Sequence, residues 1–294
     1  MKNIIVLIIC LAIGFQAKAG DMKKDSTTFV NADWKVTELR RGATAMHAQM
    51  QMFDSQQSIS IIRYPARKFR TRLINSPGDL AGKTSGIGMK EGAYAAINGG
   101  YFDMAQLLPC VYFRTGEEVF GHTSPSEAFR VNGVIGTKDR KGRKGRKVMI
   151  APCSPSEYGD VTGKWFSVMA SGPMLMDEGE ILVPEFTETD ENGKGIDAFN
   201  DYRHPRSVIG YDGKGYVYLV VIDGRHPGKG DGASIYETAL ICRFLGMTDA
   251  INLDGGGSSS LWSSELGVLS HPSDNKAFDH EGERTVPDII GVFR

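Results

Sequence analysis

The chain has 294 residues, of which 41% are hydrophobic and 23% are charged, and 36 residues are glycine. Its formal net charge of −1 gives no support to nucleic-acid binding or to attraction by an anionic membrane surface. The glycines separate many short Val- and Ile-rich runs. We therefore predict an α+β fold, a single domain of mostly mixed or antiparallel β-sheet with a few packed helices.

The first segment has the features of an export signal. Lys2 gives a positive start, and the apolar stretch over 4–13 is shorter than the roughly 20 residues that a spanning helix needs. Ala17-Lys18-Ala19 then supplies a cleavage site of small residues. We expect a signal peptide over 1–19, a periplasmic or secreted mature protein, and no stable membrane insertion after cleavage. A lipoprotein signal at Cys10 is a weaker alternative, because the apolar stretch continues past it.

Three cysteines lie in the predicted mature chain, and an odd number allows at most one disulfide among them. They are Cys110, Cys153 and Cys242.

Residues 20–92 form a predicted N-terminal β-rich region that makes one compact unit with the rest of the chain. We expect a flexible leader over Asp21–Thr28 and a short helix or loop over Thr84–Glu91. Alternating apolar and polar residues around Met50 favour a strand with one buried face. The predicted strands are Trp34–Arg40, Ala45–Phe53, Ser58–Tyr64 and Phe69–Ile74.

Residues 93–294 form the main predicted domain, which combines short strands, polar loops and one clear helix. Ser234 and Glu237 have the spacing of a capping box at the start of the helix Ile235–Leu245. The basic run Lys138–Lys147 and the polar stretch 185–200 are expected to be loops. The predicted strands are Ala93–Ile97, Glu127–Ile135, Val148–Ala151, Trp165–Ala170, Ile181–Val183, Val208–Tyr211, Tyr216–Ile222, 249–253 and Val286–Phe293.

One strand end stands out because a carboxylate stops a buried apolar run. Asp254 ends that run, and a turn of glycines and serines follows. Glycine tolerates positive φ and lets the backbone approach a ligand, and successive N–H groups in such a turn can bind an anion. The alternative is a tight hairpin in which Asp254 only binds its own backbone. The residues of the turn are Gly255, Gly256, Gly257, Ser258 and Ser259.

Polar residues at other strand ends are candidates for the same site. Two carboxylates at one pocket are the usual equipment for glycoside hydrolysis, and an arginine fork suits a phosphate. Together they predict a substrate with both a sugar and a phosphate. Each residue has an ordinary alternative: an Asn-Gly hairpin, a turn aspartate, a helix cap, a surface cation or a loop histidine. The candidates are Asn98, Gly99, Ser171, Gly172, His204, Arg206, Asp223 and Glu237.

Several short motifs in this order resemble the phosphodiester glycosidase family. The most specific is Asn252-Leu253-Asp254-Gly255-Gly256-Gly257-Ser258, and the resemblance covers roughly Ala93 to Val292. The other matching motifs are Ala96–Phe102, Ser171–Pro173, Pro205–Gly210, Asp223–Arg225, Ser234–Ala239 and Arg284–Val292.

The resemblance implies hydrolysis of a sugar 1-phosphodiester, of the N-acetylglucosamine-1-phosphodiester type, at the glycosidic bond in a surface or extracellular glycan. Asp254 and Asp223 would lie near the anomeric carbon, and Glu237 would orient a sugar hydroxyl or only cap its helix. Arg206, the glycine N–H groups and Ser258 would hold the phosphate. The alternative is a non-catalytic phosphoglycan-binding or exopolysaccharide-processing protein. No cofactor is firmly implied, although clustered carboxylates leave Ca²⁺ as an open alternative.

Overall fold

A computed structural model describes residues 22–138, 148–183 and 198–294. The predicted signal peptide, nearly all of the basic run and most of the 185–200 loop therefore lie outside the described residues. The strands are β1 (Lys35–Glu38), β2 (Thr44–Met52), β3 (Ser55–Pro65), β4 (Arg70–Asn75), β5 (Gly82–Lys83), β6 (Ala95–Asn98), β7 (Phe102–Asp103), β8 (Leu108–Pro109), β9 (Phe113–Thr115), β10 (Glu118–Gly121), β11 (Gly133–Thr137), β12 (Val148–Pro152), β13 (Ser167–Ser171), β14 (Met174–Asp177), β15 (Glu180–Ile181), β16 (Arg206–Tyr211), β17 (Tyr216–Ile222), β18 (Asp249–Asn252), β19 (Leu261–Ser263), β20 (Gly267–Val268), β21 (Thr285–Val286) and β22 (Asp288–Phe293). The helices are α1 (22–31), α2 (Thr84–Glu91), α3 (Tyr158–Thr162), α4 (Ala198–Asp201) and α5 (Ile235–Phe244).

Three larger sheets and two small ones make up the described β structure. Their strand orders are β1-β2-β3-β17-β16-β18-β14-β15, β10-β9-β13-β11-β12, β20-β19-β6-β22-β4, β21-β5 and β7-β8. Every pairing between these named strands is antiparallel. The first sheet combines β1 to β3 with later strands of the chain, which confirms the predicted α+β fold and single domain.

The main core lies where the three larger sheets meet. Ile209 and Leu219 of the first sheet, Ile135 of the second, and Ile97 and Ile290 of the third belong to one buried cluster. The other face of the first sheet is covered by α1 and α5. Burial on both faces explains why its central strands are apolar almost throughout, since each side chain then points into a packed layer.

Two local predictions were wrong. Residues 22–31 are helical, and Asp25 and Phe29 explain why, because they are one turn apart and share a buried face. The Asp25 carboxylate accepts a hydrogen bond from the N–H of Phe53 at 3.0 Å. The predicted strand Glu127–Ile135 is a strand only from Gly133 onward, because the preceding residues form hydrogen-bonded turns.

The helix prediction around Ser234 is confirmed, with α5 ending one residue earlier than expected. The Ser234 hydroxyl accepts the N–H of Glu237 at 3.1 Å, and the Glu237 carboxylate accepts the N–H of Ser234 at 2.9 Å. Among the described helices, none is long and apolar enough to cross a membrane.

The strand register brings three predicted site residues to one edge of the first sheet. Arg206 pairs with Ile222 across β16 and β17, and Val208 pairs with Asn252 across β16 and β18. β16 therefore begins where β17 and β18 end. Arg206 starts β16, and Asp223 and Asp254 come after the ends of β17 and β18.

Candidate active site

The glycine turn, residues Gly255 to Gly257, is held by backbone hydrogen bonds to two neighbouring strand ends. The N–H of Asp254 donates to Gly99 O at 3.0 Å, and the N–H of Gly256 donates to Pro205 O at 2.9 Å. The N–H of Gly255 donates to the Asp254 carboxylate at 2.9 Å. Two of the three glycine N–H groups that the sequence analysis assigned to a phosphate are thus already bonded within the protein.

Asn98 is a fully buried anchor beneath this turn. Its side-chain amide donates to Asp254 O at 2.7 Å, and its side-chain oxygen accepts from the Ser207 hydroxyl at 2.7 Å and from the N–H of Ser260 at 3.2 Å. The Asn98 side chain therefore fixes the position of Asp254, rather than reaching out to a substrate as predicted.

The surroundings of Asp254 change the acidity of its carboxyl group. Its side chain is half-buried, and burial raises its pKa to about 6. The nearby Ser258 hydroxyl, the Arg130 guanidinium and the N–H of Gly255 oppose this rise, because each favours the charged carboxylate. A carboxyl group with this pKa can give and take a proton near neutral pH.

A second acid, Asp288, lies directly behind Asp254 and was not identified from the sequence. It is buried, and its carboxylate accepts the N–H of Gly100 at 2.6 Å. Burial raises its pKa to about 8, and the charge of Asp254 adds to the rise. The signal was present in the sequence, since Asp288 stands at the start of the otherwise apolar strand Asp288–Phe293.

Two guanidinium groups lie over the glycine turn. A Cβ atom on Gly256 would lie 2.9 Å from an Arg225 nitrogen, and one on Gly257 would overlap the Arg284 guanidinium. Gly256 also has a φ of +62°. Glycine at these two positions is thus required for the close approach of both cations. Arg284 is in turn bonded to Asp274, at 3.0 Å from Nε.

A third guanidinium, that of Arg130, completes the positive surroundings of Asp254. Arg130 lies over the ring of Tyr101, with 3.9 Å from the central carbon to the ring centroid, and its Nε donates to Glu127 at 2.7 Å. Tyr101 is itself fixed by donating to Gly172 O at 2.6 Å. Sequence reasoning missed Arg130 because no strand end or glycine marks it.

Arg206 is buried and donates to main-chain carbonyls. Its Nε donates to Ala233 O at 2.9 Å, and one terminal nitrogen donates to Phe199 O at 2.6 Å and to Tyr202 O at 3.1 Å. These bonds tie α4 to the start of α5. Arg225 and Arg284 are therefore better placed than Arg206 to contact a phosphate at the glycine turn.

The predicted residues Ser171 and Gly172 support the site from behind. The Ser171 hydroxyl donates to Asn252 O at 2.7 Å, and Gly172 O accepts the side-chain amide of Asn252 at 3.0 Å. Ser258 and Ser259 directly follow the three glycines and are buried as well. These four residues shape the turn without opening to solvent.

Asp223 reaches the same sheet edge as Asp254 but faces other side chains. It accepts the Ser58 hydroxyl at 2.6 Å and the His271 Nδ1 at 2.9 Å on one oxygen, and the His271 N–H at 2.8 Å on the other. It is buried, whereas Asp254 lies among Arg130 and Arg284. The two predicted carboxylates thus have separate hydrogen-bond partners at this edge.

His204 precedes Pro205, whose carbonyl holds the glycine turn, and the charges of Arg206 and Arg225 act on its ring. Its Nε2 is 3.3 Å from Ala198 O, and burial together with the nearby charge of Arg206 lowers its pKa. This geometry matches the alternative of an ordinary loop histidine.

Glu237 is fully occupied by the capping box of α5 and by Arg203, whose terminal nitrogen lies 2.6 Å from its carboxylate.

We expect Glu237→Ala to lower the free energy of unfolding by about 1–2 kcal/mol, because a cap and a partly buried ion pair are lost. Urea denaturation measures this loss. Turnover by the folded variant should stay within about twofold of the wild type, and a hundredfold loss would restore Glu237 to the catalytic residues.

The Ca²⁺ alternative has no supporting donor set among the residues described. No group of three or more His, Cys, Asp or Glu side chains there is arranged to hold a metal ion. Asp223 and Asp254 have separate partners, so they do not form the shared carboxylate cluster that the alternative needs.

Cys110, Cys153 and Cys242 are all free thiols.

Comparison with known proteins identifies a family for most of the chain. A family model described as phosphodiester glycosidase matches residues 91–293. N-acetylglucosamine-1-phosphodiester alpha-N-acetylglucosaminidase of Bos taurus is 26% identical over 220 residues, which cover 72% of this chain and 39% of the bovine protein. The Mus musculus protein of the same name is 26% identical over 222 residues, which cover 71% of this chain and 40% of the mouse protein. The chain thus spans about two fifths of the length of these curated relatives.

Two solved structures share the fold. The catalytic domain of zebrafish N-acetylglucosamine-1-phosphodiester alpha-N-acetylglucosaminidase, auto-inhibited by its pro-peptide, superposes with a TM-score of 0.60 at 18% identity, over 90% of this chain and 82% of that one. A hypothetical protein from Synechocystis superposes with a TM-score of 0.59 at 17% identity, over 88% and 63% of the two chains.

Proposed function

The chain belongs to the phosphodiester glycosidase family, and from this premise we propose that it hydrolyses the glycosidic bond of a sugar 1-phosphodiester. The observation that carries the proposal is the position of Asp254, a carboxyl group with a pKa of about 6 at a glycine turn that lies beneath two guanidinium groups. Such a site offers a base for water and a positive surface for a phosphate.

The phosphate of the substrate is placed against Arg225 and Arg284. Arginine binds phosphate oxygens through paired N–H donors, and its charge does not depend on pH in the working range. The glycines let both guanidinium groups lie against the turn, because they add no side chain there.

The reaction then breaks the bond between the anomeric carbon and the bridging oxygen. Water attacks the anomeric carbon, Asp254 takes the proton from this water, and the phosphate monoester leaves with the electron pair of the broken bond. A phosphate is a good leaving group, so it needs less help from a general acid than a sugar alcohol does. Arg225 and Arg284 stabilise the negative charge that gathers on it.

The substrate that we propose is an N-acetylglucosamine-1-phosphodiester or a close analogue within a surface or extracellular glycan. The names of the curated relatives support the sugar and the linkage. The export signal expected at 1–19 supports a place of action outside the cytoplasm, in the periplasm or the surroundings. Recovery of a chain that begins at Gly20 from the periplasm or medium would test this location.

Incubation with a set of sugar 1-phosphodiesters in ¹⁸O-labelled water tests the activity. We expect free sugar that carries the label at its anomeric hydroxyl, together with an unlabelled phosphate monoester. Label in the phosphate would mean cleavage of the O–P bond and would refute the proposal. Tight binding of the diesters without any release of sugar would instead favour a phosphoglycan-binding protein.

We expect Arg225→Gln to lower kcat/KM by about tenfold or more, because a hydrogen bond between charged groups is worth about 1.5–3 kcal/mol. Initial rates at several salt concentrations measure this change, and the wild type should lose more activity than the variant as salt rises. Arg243→Gln is the matched control, because Arg243 is an exposed arginine in the last turn of α5. Equal rates for wild type and Arg225→Gln at low salt would remove Arg225 from the phosphate site.

A further inference from the structure

A cleft of about 430 Å³ lies between β1, β2 and the segment that follows β20. The histidines His47, His271 and His280 line it together with Lys35 and Phe278. His271 lies at the centre of the group, with its ring centroid 4.5 Å from that of His280 and 5.5 Å from that of His47. We call this space the histidine cleft. None of its side chains takes part in the reaction described above.

The hydrogen bonds of His47 fix which of its nitrogens carries the proton. Its Nδ1 lies 3.0 Å from the hydroxyl oxygen of Ser60, and the hydrogen of that hydroxyl is donated to Leu269 O at 3.0 Å. Ser60 therefore accepts, and the Nδ1–H of His47 donates. In the neutral ring, Nε2 is then left as a hydrogen-bond acceptor.

The same reasoning applies to the other two rings. The Nδ1 of His271 lies 2.9 Å from the buried Asp223 carboxylate, and the Nδ1 of His280 lies 2.8 Å from Ser270 O. A carboxylate and a carbonyl only accept, so both Nδ1 atoms must donate. Strand β2 and the segment that follows β20 thus hold three imidazoles in the same tautomer.

The resulting surface suits a ligand that is rich in hydroxyl donors. The three rings line the cleft together with Lys35, whose ammonium donates, and with Phe278, whose ring stacks on His271 at 3.9 Å between centroids. A compact ring with several hydroxyl groups and one apolar face matches this mixture of acceptors, donor and aromatic surface. From this pattern we propose that the histidine cleft binds a pyranose sugar, whose hydroxyls donate to the Nε2 atoms of His47, His271 and His280.

Two other ligand classes fit less well. Lone pairs on neutral imidazoles repel an anion, and burial lowers the pKa of His47, which favours its neutral form. For a metal ion, the described residues contain no group of three suitable side chains in a binding arrangement. The proposal is also separate from hydrolysis, because a sugar can bind in the cleft whether or not Asp254 acts on a phosphodiester.

Calorimetric titration with the methyl glycosides of glucose, mannose and N-acetylglucosamine tests the proposal. These probes lack a phosphate, so their binding does not depend on the hydrolytic activity. We expect saturable binding of at least one probe at pH 8. His280→Asn should weaken it about three- to tenfold, because asparagine can keep the hydrogen bond to Ser270 O while the Nε2 acceptor is lost. His122→Asn is the matched control, because His122 is exposed and does not line the cleft.

Lowering the pH from 8 to 5 should weaken binding, because protonation of His47, whose pKa burial lowers, turns its Nε2 from an acceptor into a donor. The charged groups that act on the three rings are Asp223, Lys35, Asp279, the other protonated rings of the cleft and, when protonated, His226.

Failure of all three probes to bind, or equal affinity for wild type and His280→Asn, would overturn the proposal. Tight binding of Zn²⁺ or of inorganic phosphate at pH 8 without binding of any sugar would overturn it as well. Thermal unfolding checks that His280→Asn is folded. Lys35→Met is a second variant that should weaken binding, and Lys35 is exposed on β1. A chain that binds these sugars but releases none from phosphodiesters would refute only the proposed function.

Discussion

Replacing Asp254 by asparagine is expected to lower kcat by about 10²–10⁴-fold, the range that general acid–base catalysis contributes. Asparagine keeps the shape of the side chain but cannot take a proton from water. In the wild type, kcat/KM should rise as the pH increases through about 6, because the base form of Asp254 appears there. The variant should lack this rise. Initial rates on an N-acetylglucosamine 1-phosphodiester from pH 4 to 9 measure both effects.

Stability separates this effect from misfolding. Burial raises the pKa of Asp254, so the charged form is unfavourable in the folded state, and the neutral asparagine should fold at least as stably at pH 8. Asp79→Asn is the control, because Asp79 is an exposed acid in a turn away from the glycine turn. Wild-type kcat in a folded Asp254→Asn variant would exclude Asp254 from the chemistry.

Replacing Gly99 by alanine is expected to lower the free energy of unfolding by about 2–4 kcal/mol, through overpacking and a lost buried hydrogen bond. The added Cβ would overlap the Asp288 carboxylate and would lie 3.1 Å from the Asp288 carbonyl carbon. Asp288 cannot move aside without giving up the N–H of Gly100. Urea denaturation followed by circular dichroism measures the change.

Gly159→Ala is the matched substitution for this experiment. A Cβ atom there would meet nothing within 4 Å, and the residue lies in α3. Its stability should change by less than about 1 kcal/mol, with a gain expected because alanine favours the helix. Similar losses for both variants would show that the contact between Gly99 and Asp288 is not the cause.

The glycine turn and its anchor could be predicted from sequence because local patterns mark them. An apolar run that stops at Asp254 and another that stops at Asn98 identify two strand ends. The fold brings these ends into contact, through the 2.7 Å bond from Asn98 to Asp254 O. The sequence did not show that Asn98 is a buried anchor of Asp254, because the hydrogen-bond partners of a buried amide depend on tertiary packing.

The phosphate contacts could not be assigned from sequence in the same way. Arg206 begins a strand, but its donors turn toward carbonyls of α4 and of the α5 start. Arg284 and Arg225 lie over the turn because two separate loops fold back across it. The periodicity of apolar residues indicates which face of a strand is buried. It does not indicate where the side chains of loops such as those of Arg225 and Arg284 lie.

The hydrogen-bond partners of Asp223 could not be predicted from the sequence for a related reason. Its carboxylate meets His271, which is 48 residues later in the chain, and Ser58, which is 165 residues earlier. No local spacing links these three residues. The sequence correctly indicated that Asp223 is more than a turn residue, but the pairing with Asp254 that the resemblance implied does not appear in the contacts of either carboxylate.

The carboxyl group of Asp288 makes the stability of the fold depend on pH. Its pKa is about 8 when folded, against about 4 for an aspartate in an unfolded chain, so folding takes up a proton between these two values. Stability contributed by this proton is fully present below about pH 4 and declines from there to about pH 8, by up to about 1.4 kcal/mol for each pH unit. A molecule of this kind should be at its most robust in mildly acidic surroundings.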